Sequence, residues 1–151
     1  MKYKTYQLLL LGAALLIALP AAAAEQAGAI KVVKGTVNIE RGGQRSVATA
    51  GTPVFAGDLI TTGPDGSVGI TLRDNTLLSA GPKSTLILDR FVFDSTTYAG
   101  ALDASLKRGS LAVVSGKIAK QSPRAVQFRT PATILGVRGT EFVIEALSEE
   151  N

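Results

Sequence analysis

Ser115-Gly116-Lys117 places a hydroxyl and an amine two residues apart, the ingredients of a Ser-Lys hydrolase. Such a dyad needs a desolvated lysine presented to the serine. On a strand, positions two apart share a face only if Gly116 keeps the strand regular. The triplet therefore reads as a turn or strand end with a solvated lysine. It is no phosphate loop either, because Gly109 lies too far upstream and Ile118 replaces the required hydroxyl residue. The chain has no histidine and no cysteine, which removes the commonest general base, the strongest nucleophile and the soft metal ligands. A Ser-His-Asp or Cys-His arrangement is impossible. Carboxylates remain. Asp58, Asp65, Asp74, Asp89, Asp94 and Asp103 are scattered through turns and strand ends, without the alternating spacing of a calcium loop. An aspartate in a turn usually hydrogen-bonds its own backbone. A paired-carboxylate glycosidase site could still assemble from distant positions. No catalytic residue, metal site or cofactor is expected.

One arginine stands apart. Arg138 lies between Gly136 and Gly139, with Val137 and Thr140 completing the turn and a strand following to Ile144. The glycines can take positive φ or admit another backbone closely. Arg138 could offer a planar, bidentate donor to a ligand or partner. Alternatively it is a buried fork holding turn carbonyls and one carboxylate, and a buried arginine must be paired. The structural role is the expected one. Asp58, after Gly57 and before the apolar Leu59-Ile60, is its candidate ion-pair partner.

The elements that position these residues read as almost all β. Val68, Ile70 and Leu72 alternate with Gly69, Thr71 and Arg73, the period of a half-buried strand. Val37 and Ile39, the run from Leu102 to Leu106, and Phe142 with Ile144 follow the same rule. Leu86-Ile87-Leu88 and Phe91-Val92-Phe93 suggest strands buried on both faces or at a bend. Turn residues separate the runs: Arg41-Gly42-Gly43, Gly63-Pro64-Asp65-Gly66, Asp74-Asn75, Gly81-Pro82-Lys83 and Ser122-Pro123. No convincing helical period follows Ala24, and residues 96–106 are the expected place for a loop or short helix. Gly plus a small hydroxyl residue opens several strands, as in Gly66-Ser67 and Gly109-Ser110, at uneven intervals. That suits an irregular coil of short strands with glycine corners, and a two-sheet sandwich equally well.

Residues 1–24 read as an export signal: Lys2 and Lys4, an apolar run from Leu8 to Leu19, then Ala22-Ala23-Ala24. The run is shorter than the ~20 residues of a spanning helix, and without cysteine there is no lipid attachment residue. The expectation is cleavage after Ala24, leaving residues 25–151 as one periplasmic or secreted domain with no stable membrane anchor. Losing both lysines takes the formal charge from +4 to about +2. No block of like charge appears and aromatics are 5% of the chain, so nucleic-acid binding is not expected.

Several ordered motifs resemble the FecR domain family. Gly35-Thr36-Val37-Asn38-Ile39-Glu40-Arg41 is similar to its opening strand. Gly51, Gly57-Asp58, Ile60 and Thr62 fit its turn-strand element, and Ser67–Leu72 with Leu77–Leu88 fit its strand pair. Leu106, Gly109 and Leu111 match a further element, and the stretch from Thr130 to Phe142 looks like its closing signature. The resemblance tips the fold towards an all-β, irregular β-helix-like stack, with the β-sandwich as alternative. Relatives that regulate sigma factors carry a cytoplasmic helical segment, a membrane helix and a further periplasmic subdomain. This sequence shows none of these, so a stand-alone domain is expected. The resemblance implies a non-catalytic, signal-input or envelope-interaction module that recognises a protein partner in the cell envelope. The alternative is a binder of cell-wall glycan, weakened because no tryptophan and only Tyr98 among the tyrosines follow the signal. A hydrolase using carboxylates or the Ser-Lys pair is third.

Overall fold

Alternation in the sequence becomes a single curled sheet. The structure, a computed structural model, describes residues 24–137 and 139–147. The chain runs through β1 (Gln26–Lys34), β2 (Val37–Arg41), β3 (Gln44–Val47), β4 (Pro53–Phe55), β5 (Leu59–Thr62), β6 (Ser67–Leu72), β7 (Leu77–Ala80), β8 (Thr85–Phe93) and β9 (Gly100–Val114). A short helix α1 (Lys117–Gln121) and a 3-10 turn at Pro123–Ala125 lead to β10 (Val126–Arg129), β11 (Ile134–Gly136) and β12 (Glu141–Ala146). The strand order is β3-β2-β5-β8-β9-β7-β6-β1-β4, with β10 and β12 also on β9, and β11 on β10.

The curl is made by β9. Its first part pairs with β8 and β10, and its last part, from Gly109 onwards, pairs with β7 and β12. The change of neighbours falls at Gly109, whose φ is +94° and whose absent Cβ would collide with Ser84. Only glycine meets both demands at once. Two half-sheets result, one of β1, β4, β6, β7, the end of β9 and β12, the other of β2, β3, β5, β8, the start of β9, β10 and β11. The all-β class and the stack of short strands with glycine corners are as the sequence implied. The ladders are antiparallel apart from β10 against β9. The stack is thus a curled, half-barrel sheet in place of parallel coils.

Register carries the alternation across the strands. In the first half, Ile30, Ile70, Leu78, Val113 and Phe142 stand in one inward row. In the second, Ile39, Ile60, Leu86 and Leu106 form another. Both feed one core, and Phe128 of β10 meets Phe142 of β12 edge-on at 5.5 Å between ring centres. Each fully buried Ile, Leu or Phe side chain contributes about 1.5–3 kcal/mol.

Two expectations are corrected. Residues 96–106 do not form a loop or helix throughout. A turn held by Asp94 ends at Ala99, and β9 begins at Gly100. Gly100 is there for close approach, since a Cβ would strike the Val92 carbonyl oxygen of β8. The helix lies at Lys117–Gln121 instead, too short to show a period. The runs around Leu86 and Phe91 belong to one strand, β8, with a bulge between Leu88 and Arg90. That is the bend foreseen for them.

Candidate functional site

Asp58 sits where the chain enters β5, with no exposed surface. Its oxygens accept from Arg41 Nε at 2.7 Å, from Arg41 Nη2 at 2.7 Å and from the Phe55 amide at 2.8 Å. Arg41 lies at the end of β2, and pairing of Glu40 with Leu59 brings it beside Asp58. Its guanidinium covers the Phe55 ring at 4.5 Å and also donates to the Pro53 carbonyl. The hydrogen bonds that Arg41 donates to Asp58 raise its pKa above the ordinary value; burial opposes this and the carboxylate charge adds to it. A bidentate pair of this kind is among the stronger polar contacts available to a protein. Asp58 thus takes an arginine fork, and Arg41 supplies it. Arg138, the partner expected from the sequence, lies outside the described residues. The register of β2 on β5 was the missing signal.

Asp74 is equally buried, with no cation paired to it among the described residues. Its carboxylate accepts from the Thr76 amide at 3.0 Å, the Thr76 hydroxyl at 2.8 Å and the Ile118 amide at 3.3 Å. Its own carbonyl takes the Lys117 amide at 2.8 Å. The aspartate therefore clips the start of α1 to the β6–β7 turn. Asp89 accepts from the Ser105 hydroxyl, and Asp94 accepts the Thr96 and Thr97 amides at 2.8 and 3.2 Å. Those two amide bonds hold the Asp94 carboxyl below the usual carboxylate range. Among the described residues, no three acidic side chains gather where a metal ion could be held.

Ser115 and Lys117 part company. The Ser115 hydroxyl faces the Gly139 carbonyl at 3.4 Å, and its amide donates to the Thr140 carbonyl at 2.7 Å. Lys117 turns to the Tyr98 ring, with Nζ 4.7 Å from its centre. Tyr98 is also stacked with Phe93, at 6.3 Å between ring centres. The amine is thus engaged on the ring of the only tyrosine of the expected mature chain.

The signature turn looks outwards. Val137 is buried, Leu135 is half-buried on Phe128, and Ile134 is 62% exposed. Gly139 has φ +88°, so its turn does demand glycine. Gly136 is different. It is exposed, its φ is not positive, and an added Cβ would meet nothing within 4 Å among the described residues. Among the described residues β11 hydrogen-bonds to β10 alone, and none of them pairs with its other edge. Beside it runs a surface depression of about 560 Å³ lined by Pro123, Arg124, Gly136, Val137 and Gly139. Among the described residues this site combines an unpaired strand edge, an apolar side chain and a nearby cation.

The model of the FecR protein family matches residues 58–151, more than half of the chain. The chain belongs to the FecR family. Its signature turn, β11 edge and Asp58 all fall inside the match. β1 and β2 precede it, yet pair with β6 and β5 and so complete the FecR sheet. FecR is a signalling family, and its domains are typically associated with the cell envelope. No helix among the described residues is long and apolar enough to cross a membrane. No curated protein and no solved structure matches the chain.

Proposed function

We propose that this FecR chain is an exported, non-catalytic signal-input module that binds an extended segment of an envelope protein along the open edge of β11. The observation that carries the reading is Gly136. Neither backbone conformation nor internal packing calls for glycine there. A bare backbone on an unpaired edge suits a partner strand that must come to hydrogen-bonding distance, with Ile134 as an apolar anchor and Arg124 at the rim. Strand addition of this kind draws affinity from main-chain bonds and specificity from alternate side chains. Export rests on the charged, apolar, small-residue order of residues 1–24, and mass determination of the N-terminus of envelope-derived protein tests it. A mature start at Glu25 is expected.

The binding test uses Gly136→Val and Ile134→Glu. The structure leaves room for both side chains, so each variant should keep the parent urea midpoint. Each should lose the protein that the parent captures from envelope extracts, while Thr61→Glu, on β5, keeps it. Capture that survives both β11 variants, or retention by purified cell-wall glycan in place of protein, overturns the reading.

A further inference from the structure

The outward face of the first half-sheet carries a second, independent surface. Across β1, β6, β7, β9 and β12, register aligns Val32, Gly69, Ser79, Ala112 and Val143 in one row. The next row holds Ala29, Thr71, Leu77, Val114 and Glu141. On the other side, Lys34 pairs with Ser67, Gly81 donates to the Ser110 carbonyl at 3.1 Å, and Ser110 pairs with Glu145. The three central strands place no charged side chain on this face. Leu77 is 42% exposed, Val32 54% and Val143 68%. Charge appears only at the margins, basic on β1 and acidic on β12, where Glu145 shares a surface depression with Lys83 and Arg108.

We infer that this face docks a second copy of the chain, with a two-fold axis running nearly along β7 through Ser79. Such an axis lays β12 of one copy over β1 of the other and keeps each row in place. Glu145 then meets Lys34 of the second copy, Val143 meets Val32, Gly69 meets Ala112, and Ser79 alone faces its own counterpart on the axis. Each contact occurs twice, as in any isologous interface. The perpendicular axis would set Glu141 against Glu145, a like-charge contact that disfavours it. Charge placement thus selects both the occupant and the orientation. Four strand spacings of about 4.8 Å and four residues of about 3.4 Å give a footprint of roughly 19 by 14 Å. That is roughly 270 Å² per copy, below the about 800 Å² of a stable specific interface, so the dimer is a weak one that forms as concentration rises. The face lies apart from the β11 edge, and the inference stands whether or not that edge binds a partner.

Sedimentation analysis of the purified protein over a concentration series tests the inference. The parent should pass from monomer towards dimer. Lys34→Glu and Glu145→Lys should each weaken association about tenfold or more, since each creates two like-charge contacts. The double variant should recover to within about threefold of the parent. Ser79→Arg, at the axis, should abolish the dimer with an unchanged urea midpoint, whereas Thr61→Arg on the other half-sheet leaves it intact. A parent monomeric at every concentration, or a double charge swap that fails to restore association, refutes the proposed dimer.

Discussion

The two halves of the sheet each bury an aspartate at a strand corner, and they satisfy it by different means. Asp58 has a guanidinium on both oxygens, whereas Asp74 holds one hydroxyl and two amides. The same division marks the outer faces. Glu40, Arg45, Arg90, Asp103 and Arg129 stud the half that contains Asp58, while the central strands of the other half are neutral on that side. One half meets water with charge and uses charge to pin itself together. Among the described residues, the other holds its aspartate by uncharged donors and leaves its central strands uncharged on the outward side.

The largest effect should come from breaking the ion pair. Arg41→Ala strips a fully buried carboxylate of its cation and should cost about 3 kcal/mol in urea unfolding. Asp58→Asn should cost nearly as much, because its amide would point donors at the guanidinium. Asp74→Ala leaves two amides and a hydroxyl without their acceptor and should cost about 2 kcal/mol, with Asp74→Asn near 1. If Asp74→Asn proves more damaging than Asp58→Asn, the contrast between the halves is the wrong way round. At the signature turn, Gly139→Val should cost about 1–2 kcal/mol for a side chain forced to positive φ. Gly136→Val should stay within about 0.5 kcal/mol, as surface changes usually do. Equal losses at the two glycines would mean that the fold requires both.

The smallest effect concerns pH. The Asp94 carboxyl is held below its ordinary 3.8 in the folded protein, so its contribution to stability is present above that value. It is lost as pH falls through the depressed folded pKa. Asp94→Asn should therefore differ from the parent at neutral pH and converge with it in strong acid. A carbon-detected titration that places the Asp94 carboxyl above 3.8 would contradict the assignment.

Much of this was legible before the structure. Val68, Ile70 and Leu72 face inwards because a strand alternates, and Leu78 and Val113 join them by register. Gly57-Asp58 ahead of an apolar strand marked a carboxylate worth watching. Its partner was not legible, because Arg41 is 17 residues away and reaches it only through the β2–β5 ladder. Gly100 fell in the expected loop or short helix, and Gly109 read as a corner that opens a strand. They are close-approach points inside β9, a distinction that depends on Val92 and Ser84 in other parts of the chain. Helix α1 depends on Asp74 in the same way. The neutral face could be read only after five strands had been placed side by side.

The most direct test of the contrast between the two faces exploits a chain without cysteine. Ser79→Cys puts one thiol on the proposed two-fold axis, and Thr61→Cys puts one on the charged half. With a short bismaleimide reagent, Ser79→Cys should give covalent dimers whose yield rises with protein concentration, and Thr61→Cys should stay monomeric. Equal yields from both variants, or none from Ser79→Cys at high concentration, would show that the neutral face does not meet its own copy.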